Sequence, residues 1–494
     1  MSKKEFKDLI FYEIYPTSFY DSNNDGIGDL NGIKEKLDYV KDLGCNAIWL
    51  NPFYPSPFTD GGYDVKDFFN VDPRFGTLKD FDELIKKAHS LGIKVIIDLV
   101  AGHASEENKD FLKSAEPKRN DKSDLFIWNS CVWNYEPGYR LIAGKHQRNG
   151  CYLVNFFSTQ PAFNYGFKEV KYPTWQMSYL DERTFQAREY MLNVMRFWLS
   201  RGADGFRVDM ADSLVKDDED KSATIEVWQY LFSHIKKEYP LSFFVSEWSN
   251  PERALKAGFD ADFVLDHWDN FYHRLVRSNK YSRGDNLFNG ADLSFFINDI
   301  KWRYENSKKY DAYLALISGN HDTPRISSFL SKDELKTFYL MLFSLPGIPF
   351  LYYGDEIMMK HLDLDSKDGG FQRTGDRTPM QWDLSKNYGF STCDKDLYLP
   401  VDKENKVNVE EALNDENSLL NYIKKLIRLR KSIQCLTTDI FEIEEDNKIV
   451  VIDRGEVKLI INFSNSDLEL ENEIIFTSGK GSTLRKNEGA LVRK

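Results

Sequence analysis

The segment Gly202-Ala-Asp-Gly-Phe-Arg-Val-Asp-Met210 sets an arginine and a carboxylate two residues apart. Phe206, Val208 and Met210 alternate with Arg207 and Asp209, the period of a strand, so both charges leave one face. Two opposite charges on a buried strand are costly unless they serve each other. An arginine beside a carboxylate keeps it ionised, and an ionised carboxylate in a pocket is a nucleophile or a cation stabiliser. A structural ion pair is the alternative reading. Asp98 and His103, Glu247, and His321 with Asp322 each close another short apolar run. Three carboxylates on one rim suit glycoside cleavage, which needs an acid on the leaving oxygen and a carboxylate near the anomeric carbon. Glu247 lies in Val245-Ser-Glu-Trp248, where desolvation is expected to keep it protonated, while Arg207 keeps Asp209 ionised.

These residues need a scaffold that gathers them. Eight short apolar runs recur: Phe11 to Tyr15, Ala47 to Leu50, Val95 to Val100, Gly205 to Asp209, Phe243 to Ser246, Phe263 to Leu265, Ala312 to Ser318 and Ile348 to Tyr353. Helical spacing follows or precedes them, as at Ile33 to Leu43, Leu78 to Ser90 and Arg188 to Ser200, with glycines 44, 92 and 202 as stops. Alternating strands and helices predict parallel strands, and eight units predict an α/β fold of the (β/α)8 barrel type. A doubly wound open sheet would show a glycine-rich phosphate loop after its first strand, which is missing here. In the barrel, active-site residues sit at the C-terminal ends of strands, where the residues above fall.

Residues 104–173 interrupt the alternation and predict an inserted domain after strand three; the barrel takes 1–103 and 174–434. Residues 355–414 read as a long loop, a common place for function. The last barrel helix is expected at Leu419 to Ile433. From 435 to 494, short β runs at Ile449 to Ile452, Val457 to Asn462 and Glu473 to Phe476 predict a small antiparallel C-terminal β-sandwich.

Composition narrows the partner. Acidic residues outnumber basic ones 78 to 65, a net charge of −13, which disfavours nucleic acid. Aromatics make up 15% of the 494 residues; they stack on sugars but mostly fill cores. The five cysteines show no paired spacing. The first residues have no apolar secretory core, and no run of about 18 apolar residues occurs, so a cytoplasmic protein with no membrane partner is expected.

Taken in order, Gly44-Cys-Asn-Ala-Ile-Trp-Leu-Asn-Pro52, Gly62-Tyr-Asp-Val65, Asp98-Leu-Val-Ala-Gly-His103, Gly205-Phe-Arg-Val-Asp209, Glu247-Trp248, Gly319-Asn-His-Asp-Thr323 and Gly347 to Glu356 resemble the α-amylase family, glycoside hydrolase family 13, over nearly the whole chain. The resemblance implies Asp209 as nucleophile, Glu247 as acid/base and Asp322 as the third carboxylate, gripping sugar hydroxyls. It implies that Arg207 orients Asp209, that His103 and His321 bind hydroxyls, that Tyr63 stacks on the ring, and that Asp60 and Arg325 form a further glycone pair. Gln160 to Tyr165 is similar to a segment of oligo-1,6-glucosidases and neopullulanases, and Arg377 to Asp383 to one of oligo-1,6-glucosidases and trehalose synthases. The expected substrate is a short α-linked gluco-oligosaccharide or disaccharide. Gly102 and Ala162 stand where the family usually has Asn and Asp, ligands of a calcium ion under the inserted domain, and Asp212-Ser213 replaces a common Lys-His pair. Met210 follows the nucleophile position, where related α-glucosidases carry a bulky aliphatic for α-1,6 and a small residue for α-1,4 linkages; the methionine leans toward α-1,6.

A separate loop, Asp21-x-Asn23-x-Asp25-Gly26-Ile27-x-Asp29, has oxygen side chains at positions one, three, five and nine and a carbonyl at seven, the spacing of a structural Ca2+ loop. Position twelve is Gly32, so it is no EF-hand, and a metal-free Asx turn is the alternative. The loop is similar to one of oligo-1,6-glucosidases. For function, a retaining α-glucosidase is expected. The alternatives are a transglycosidase or isomerase sharing the covalent intermediate, an endo-acting amylase or neopullulanase, and a non-catalytic sugar carrier, which would need a membrane span.

Overall fold

The computed structural model describes residues 6–133, 136–267, 270–277, 286–290 and 292–494. Eight parallel strands close into a barrel: β1 (Phe11–Ile14), β2 (Ala47–Leu50), β3 (Lys94–Val100), β4 (Gly205–Asp209), β5 (Phe243–Ser246), β6 (Ala261–Val264), β7 (Tyr313–Ile317) and β8 (Ile348–Tyr352). Each strand pairs with its sequence neighbours, and β1 closes the ring on β8 through Phe11 opposite Phe350. The apolar runs form strands because both faces are covered; every residue of β1, β2, β4 and β5 is buried. β6 starts two residues before the apolar run, taking in the buried Asp262.

The outer helices begin and end where local chemistry directs. The helix Leu30–Leu43 is capped by Asp29, whose carboxylate accepts from Gly32 N, and stops at Gly44 in the left-handed conformation. Leu78–Ser90 carries a Thr77/Asp80 capping box. β4 packs so tightly on β5 that a Cβ at Gly205 would lie 1.9 Å from the Phe243 carbonyl oxygen; only glycine fits.

Aromatic rings fill part of the barrel interior. Phe11 stacks on Phe350 with centroids 4.2 Å apart, Phe263 meets Phe350 at 4.8 Å, and Trp49 meets Phe263 at 5.4 Å. These rings form an apolar floor, and the Arg207 guanidinium lies on it, 5.2 Å from the Trp49 ring centre.

Between β3 and β4 the inserted segment holds a short helix, Lys109–Ser114, and a ribbon, Leu141–Ile142 with Tyr152–Leu153. It has a small core of its own around Ile127, Leu153, Ala162, Phe167 and Trp175. After the helix Leu419–Ser432 comes a five-stranded antiparallel sheet: β9 (Glu442–Asp446), β10 (Ile449–Asp453), β11 (Val457–Asn462), β12 (Ile474–Thr477) and β13 (Glu488–Arg493), in the order β9-β10-β11-β13-β12. A two-residue ribbon, Leu468–Glu469 with Thr483–Leu484, packs Leu468 and Leu484 against Ala490 and Val492, so the second layer of the sandwich is minimal. Among the described residues, no helix is long and apolar enough to cross a membrane.

Candidate active site

β3 and β4 run in register with Asp98 opposite Arg207 and Val100 opposite Asp209. Arg207, on the aromatic floor, is the hub. Its Nη1 lies 2.6 Å from Asp98 Oδ1 and 3.0 Å from Asp209 Oδ1, and its Nη2 lies 2.7 Å from Glu247 Oε1. Glu247 follows β5, where its backbone N–H donates to Val208 O, and its second carboxylate oxygen accepts from Met210 N at 2.9 Å. Met210 reaches that position with φ of +41°, an uncommon conformation for a non-glycine residue, which turns its N–H toward Glu247.

Asp322, beyond β7, joins through hydrogen bonds. Its Oδ2 is 3.2 Å from His321 Nε2, which is 2.7 Å from the Tyr63 hydroxyl, which is 3.3 Å from Arg207 Nη1. The three carboxylates scattered between 209 and 322 thus meet at one end of the barrel.

The charge states differ from the sequence expectation. Burial and the neighbouring Glu247 hold the Asp209 carboxyl well above its usual range, against the pull of Arg207. Glu247 does not sit in an apolar slot; it accepts from a guanidinium and a backbone amide. The apolar slot expected around Glu247 is therefore corrected to a charged, hydrogen-bonded one. One guanidinium serves both carboxylates, and Asp209 is the more deeply buried.

His321 is buried, which lowers its pKa, but Asp322 and Glu13 outweigh burial and lift it to about 9. Asp322 is likewise pushed up by burial but drawn well below the carboxylate range by His321, Arg373 and Arg377. His321 is thus an imidazolium clamped between Glu13 Oε1, 2.8 Å from Nδ1, and Asp322. His103 is the opposite case. Burial drops its pKa to about 3, and the neutral ring bonds Tyr63 O and Asn155. Tyr63 stacks one face on His321 at 5.3 Å.

Arg325 is not in this site. It is fully buried, with Nη1 on Tyr353 O and Asp355 Oδ1. The arginines that reach Asp60 and Asp322 are Arg373 and Arg377. Arg373 sets Nη1 2.7 Å from Asp322 Oδ1 and Nη2 3.3 Å from Asp60 Oδ1; Arg377 sets Nη2 2.9 Å from Asp322 Oδ1. Asp60 Oδ2 accepts from Gln160 Nε2 at 2.8 Å. Sequence reasoning missed both arginines because the 355–414 loop has no periodicity to tie them to a strand end. Two arginines four apart were the available signal. Glu13, a carboxylate inside an apolar strand, was another.

Where the family resemblance puts a calcium ion under the inserted domain, a lysine stands. Lys216 Nζ donates to Asn155 Oδ1 at 2.6 Å and Ser213 O at 2.5 Å. A Cβ at Gly102 would lie 2.7 Å from Asn155 Nδ2 and 2.8 Å from Ser213 Oγ, so an asparagine there would have to displace both side chains, and Ala162 brings no oxygen. These residues do not fit a cation.

In the 21–29 loop, Asp21 Oδ1 accepts from Asn23 N and Asn24 N, Asn23 Oδ1 from Asp25 N, and Asp25 Oδ1 from Ile27 N. Asp29 accepts from Gly32 N and from the Ser22 N–H and hydroxyl. Asp21 Oδ1 and Asp29 Oδ1 each take at least two of these donors, whereas Asn23 Oδ1 and Asp25 Oδ1 each take one and keep a lone pair. The oxygen donor types are those a calcium ion takes. Among the described residues, no three metal-binding side chains are gathered around one point.

The α-amylase catalytic-domain family model matches residues 13–439. The chain belongs to the α-amylase family. It is 32% identical to an α-glucosidase of Apis mellifera, over 93% of this chain and 86% of that protein. It is 31% identical to an oligo-1,6-glucosidase of Heyndrickxia coagulans, over 89% and 87%. Its fold superposes on a trehalulose synthase of Pseudomonas mesoacidophila with a TM-score of 0.82 at 23% identity, covering 99% of both chains.

Proposed function

We propose that this chain is a retaining α-glucosidase acting on short α-glucosides. The observation that carries the reading is the Arg207 hub, which holds Asp209 and Glu247 on the two nitrogens of one guanidinium. That bridge favours the close carboxylate spacing of about 5–5.5 Å that retention uses, over the wider gap that inversion leaves for water. Asp209 attacks the anomeric carbon with the oxygen that Arg207 does not hold, while Glu247 protonates the leaving oxygen. Glu247 then takes a proton from water, which releases glucose with its configuration kept. Burial and Glu247 favour a proton on Asp209 in the free site, so substrate binding passes that proton to Glu247, which frees Asp209 to attack and supplies the proton for the leaving oxygen.

Asp322, Asp60, Arg373, Arg377, His321 and His103 form a dense polar ring suited to the hydroxyls of one glucose. The relatives named α-glucosidase and oligo-1,6-glucosidase support the substrate class. Ca2+ belongs to this reading only as a structural ion on Asp21, Asn23, Asp25, the Ile27 carbonyl and Asp29. Five free cysteines support a reducing, cytoplasmic setting. Incubation with maltose, isomaltose, trehalose and sucrose, with product identification, tests the reading. Release of α-glucose is expected; no turnover of any α-glucoside would overturn it. A new disaccharide in place of glucose would assign transfer through the same intermediate.

A further inference from the structure

We propose that Phe157 and Phe371 form an aromatic platform for the second ring of the substrate, the one beyond the glucose held at Asp60 and Asp322. The inference rests on the α-glucosidase reading above.

The two rings are 5.8 Å apart and tilted by 36°. They come from two separate segments of the chain. Phe157 belongs to the inserted segment, and its N–H donates to Gln160 Oε1 at 2.8 Å, while Gln160 Nε2 holds Asp60 Oδ2. Phe371 lies two residues before Arg373, whose Nη2 holds Asp60 Oδ1. The two side chains that grip the oxygens of Asp60 thus each bring a phenyl ring with them. The loop before Phe371 lies directly on this rim, since a Cβ at Gly369 would come 2.0 Å from Thr59 O.

Stability does not explain the position of Phe371. Its side chain is 59% exposed, and its φ is +48°. A bulky side chain in the left-handed region is strained, and an exposed phenyl gains little from its own fold. Phe156, also exposed, packs against Phe157 at 4.5 Å and extends the apolar surface. The polar groups around Asp322 suit the hydroxyls of one glucose and offer no apolar face. The pair beside it offers what a second pyranose or an aryl group can use, an aromatic face for its C–H surface.

The test compares substrates with and without a second ring. With wild type, both α-glucosyl fluoride, whose leaving group is a single atom, and a disaccharide that is a substrate should turn over. Phe371→Ala is expected to raise KM for the disaccharide about tenfold and to leave kcat/KM for α-glucosyl fluoride within twofold, with an unchanged unfolding midpoint. Phe371→Tyr should restore the disaccharide KM. Phe157→Ala should act in the same direction, with the double variant less than additive. Equal losses on both substrates, or no change in disaccharide KM, would overturn the platform. A wild type inert to both would instead overturn the α-glucosidase reading, and the platform with it.

Discussion

Arg207 Nη2 sits 2.7 Å from Glu247 Oε1, so the residue read as acid/base shares its guanidinium with the residue read as nucleophile. A lysine presents its donors from one nitrogen and cannot set separate nitrogens against Asp209 and Glu247. Arg207→Lys is therefore expected to lower kcat by about a hundredfold or more through lost orientation, with a smaller effect on KM. Complete removal in Arg207→Leu leaves Asp98, Asp209 and Glu247 unpaired and should lower stability by about 3–5 kcal/mol. Steady-state kinetics and urea unfolding check both. A Lys variant with wild-type kcat would mean the fork is not needed.

Asp209→Asn is expected to remove turnover of disaccharides by at least about a thousandfold, the scale of losing a covalent nucleophile, and to leave the fold intact. Stability should rise rather than fall. Burial and Glu247 raise the Asp209 pKa, so above the ordinary carboxylate pKa the folded state carries a charge that the unfolded state holds at no penalty. Asparagine removes that penalty at neutral pH. A lower unfolding midpoint for the variant at pH 7 would contradict this electrostatic account.

His321 gives a pH signature of defined sign. Its folded pKa is raised to about 9 by Asp322 and Glu13, so its contribution to stability is fully present below about 6.5 and is lost as pH rises through about 9. Asp322, drawn down by His321, Arg373 and Arg377, contributes above the ordinary aspartate range and loses that contribution as pH falls through its depressed folded value. The difference in unfolding free energy between wild type and His321→Gln should shrink between about pH 6.5 and 9. A difference constant over that window would refute a charged His321.

Much of this site was readable because strand ends are readable. Short apolar runs alternating with helical spacing pointed to buried parallel strands, and the runs at 95–100, 205–209 and 243–246 carried Asp98, Asp209 and Glu247 to one rim. What escaped notice lacked such a register. Arg373 and Arg377 act from a loop whose path depends on contacts with Thr59 and Asp60, and Arg325 was placed by motif although its guanidinium is held by Tyr353 and Asp355. The charge states failed for a related reason, since environment is a three-dimensional quantity. In the C-terminal sheet, β9 reads Glu-Ile-Glu-Glu-Asp, an acidic edge strand with one buried residue, and no apolar alternation reveals it.

Lys216 ties the inserted segment to the barrel through Asn155 and Ser213. Its pKa is pushed down to about 7 by burial and by Lys221, and either protonation state can donate to both acceptors. Lys216→Ala strands two buried acceptors and should lower stability by about 1–3 kcal/mol, with faster proteolysis within residues 104–173. Calcium should not rescue the variant, because Gly102 and Ala162 add no oxygen ligands. Recovery of the unfolding midpoint in millimolar calcium would show that a latent cation site persists there.

The loop from Asp21 to Asp29 is the place where calcium should act. Asp25 Oδ1 receives one amide, from Ile27, and the side chain is exposed, so Asp25→Ala removes a ligand without opening the core. If the loop binds calcium only when folded, saturation a hundredfold above Kd adds about 2.7 kcal/mol, read as a rise of a few degrees in Tm over the chelated protein. Asp25→Ala should lose most of that rise and match wild type when both are chelated. An equal Tm for wild type with calcium and with chelator would assign the loop to Asx turns alone, with Asp29 acting only as the cap of Leu30–Leu43.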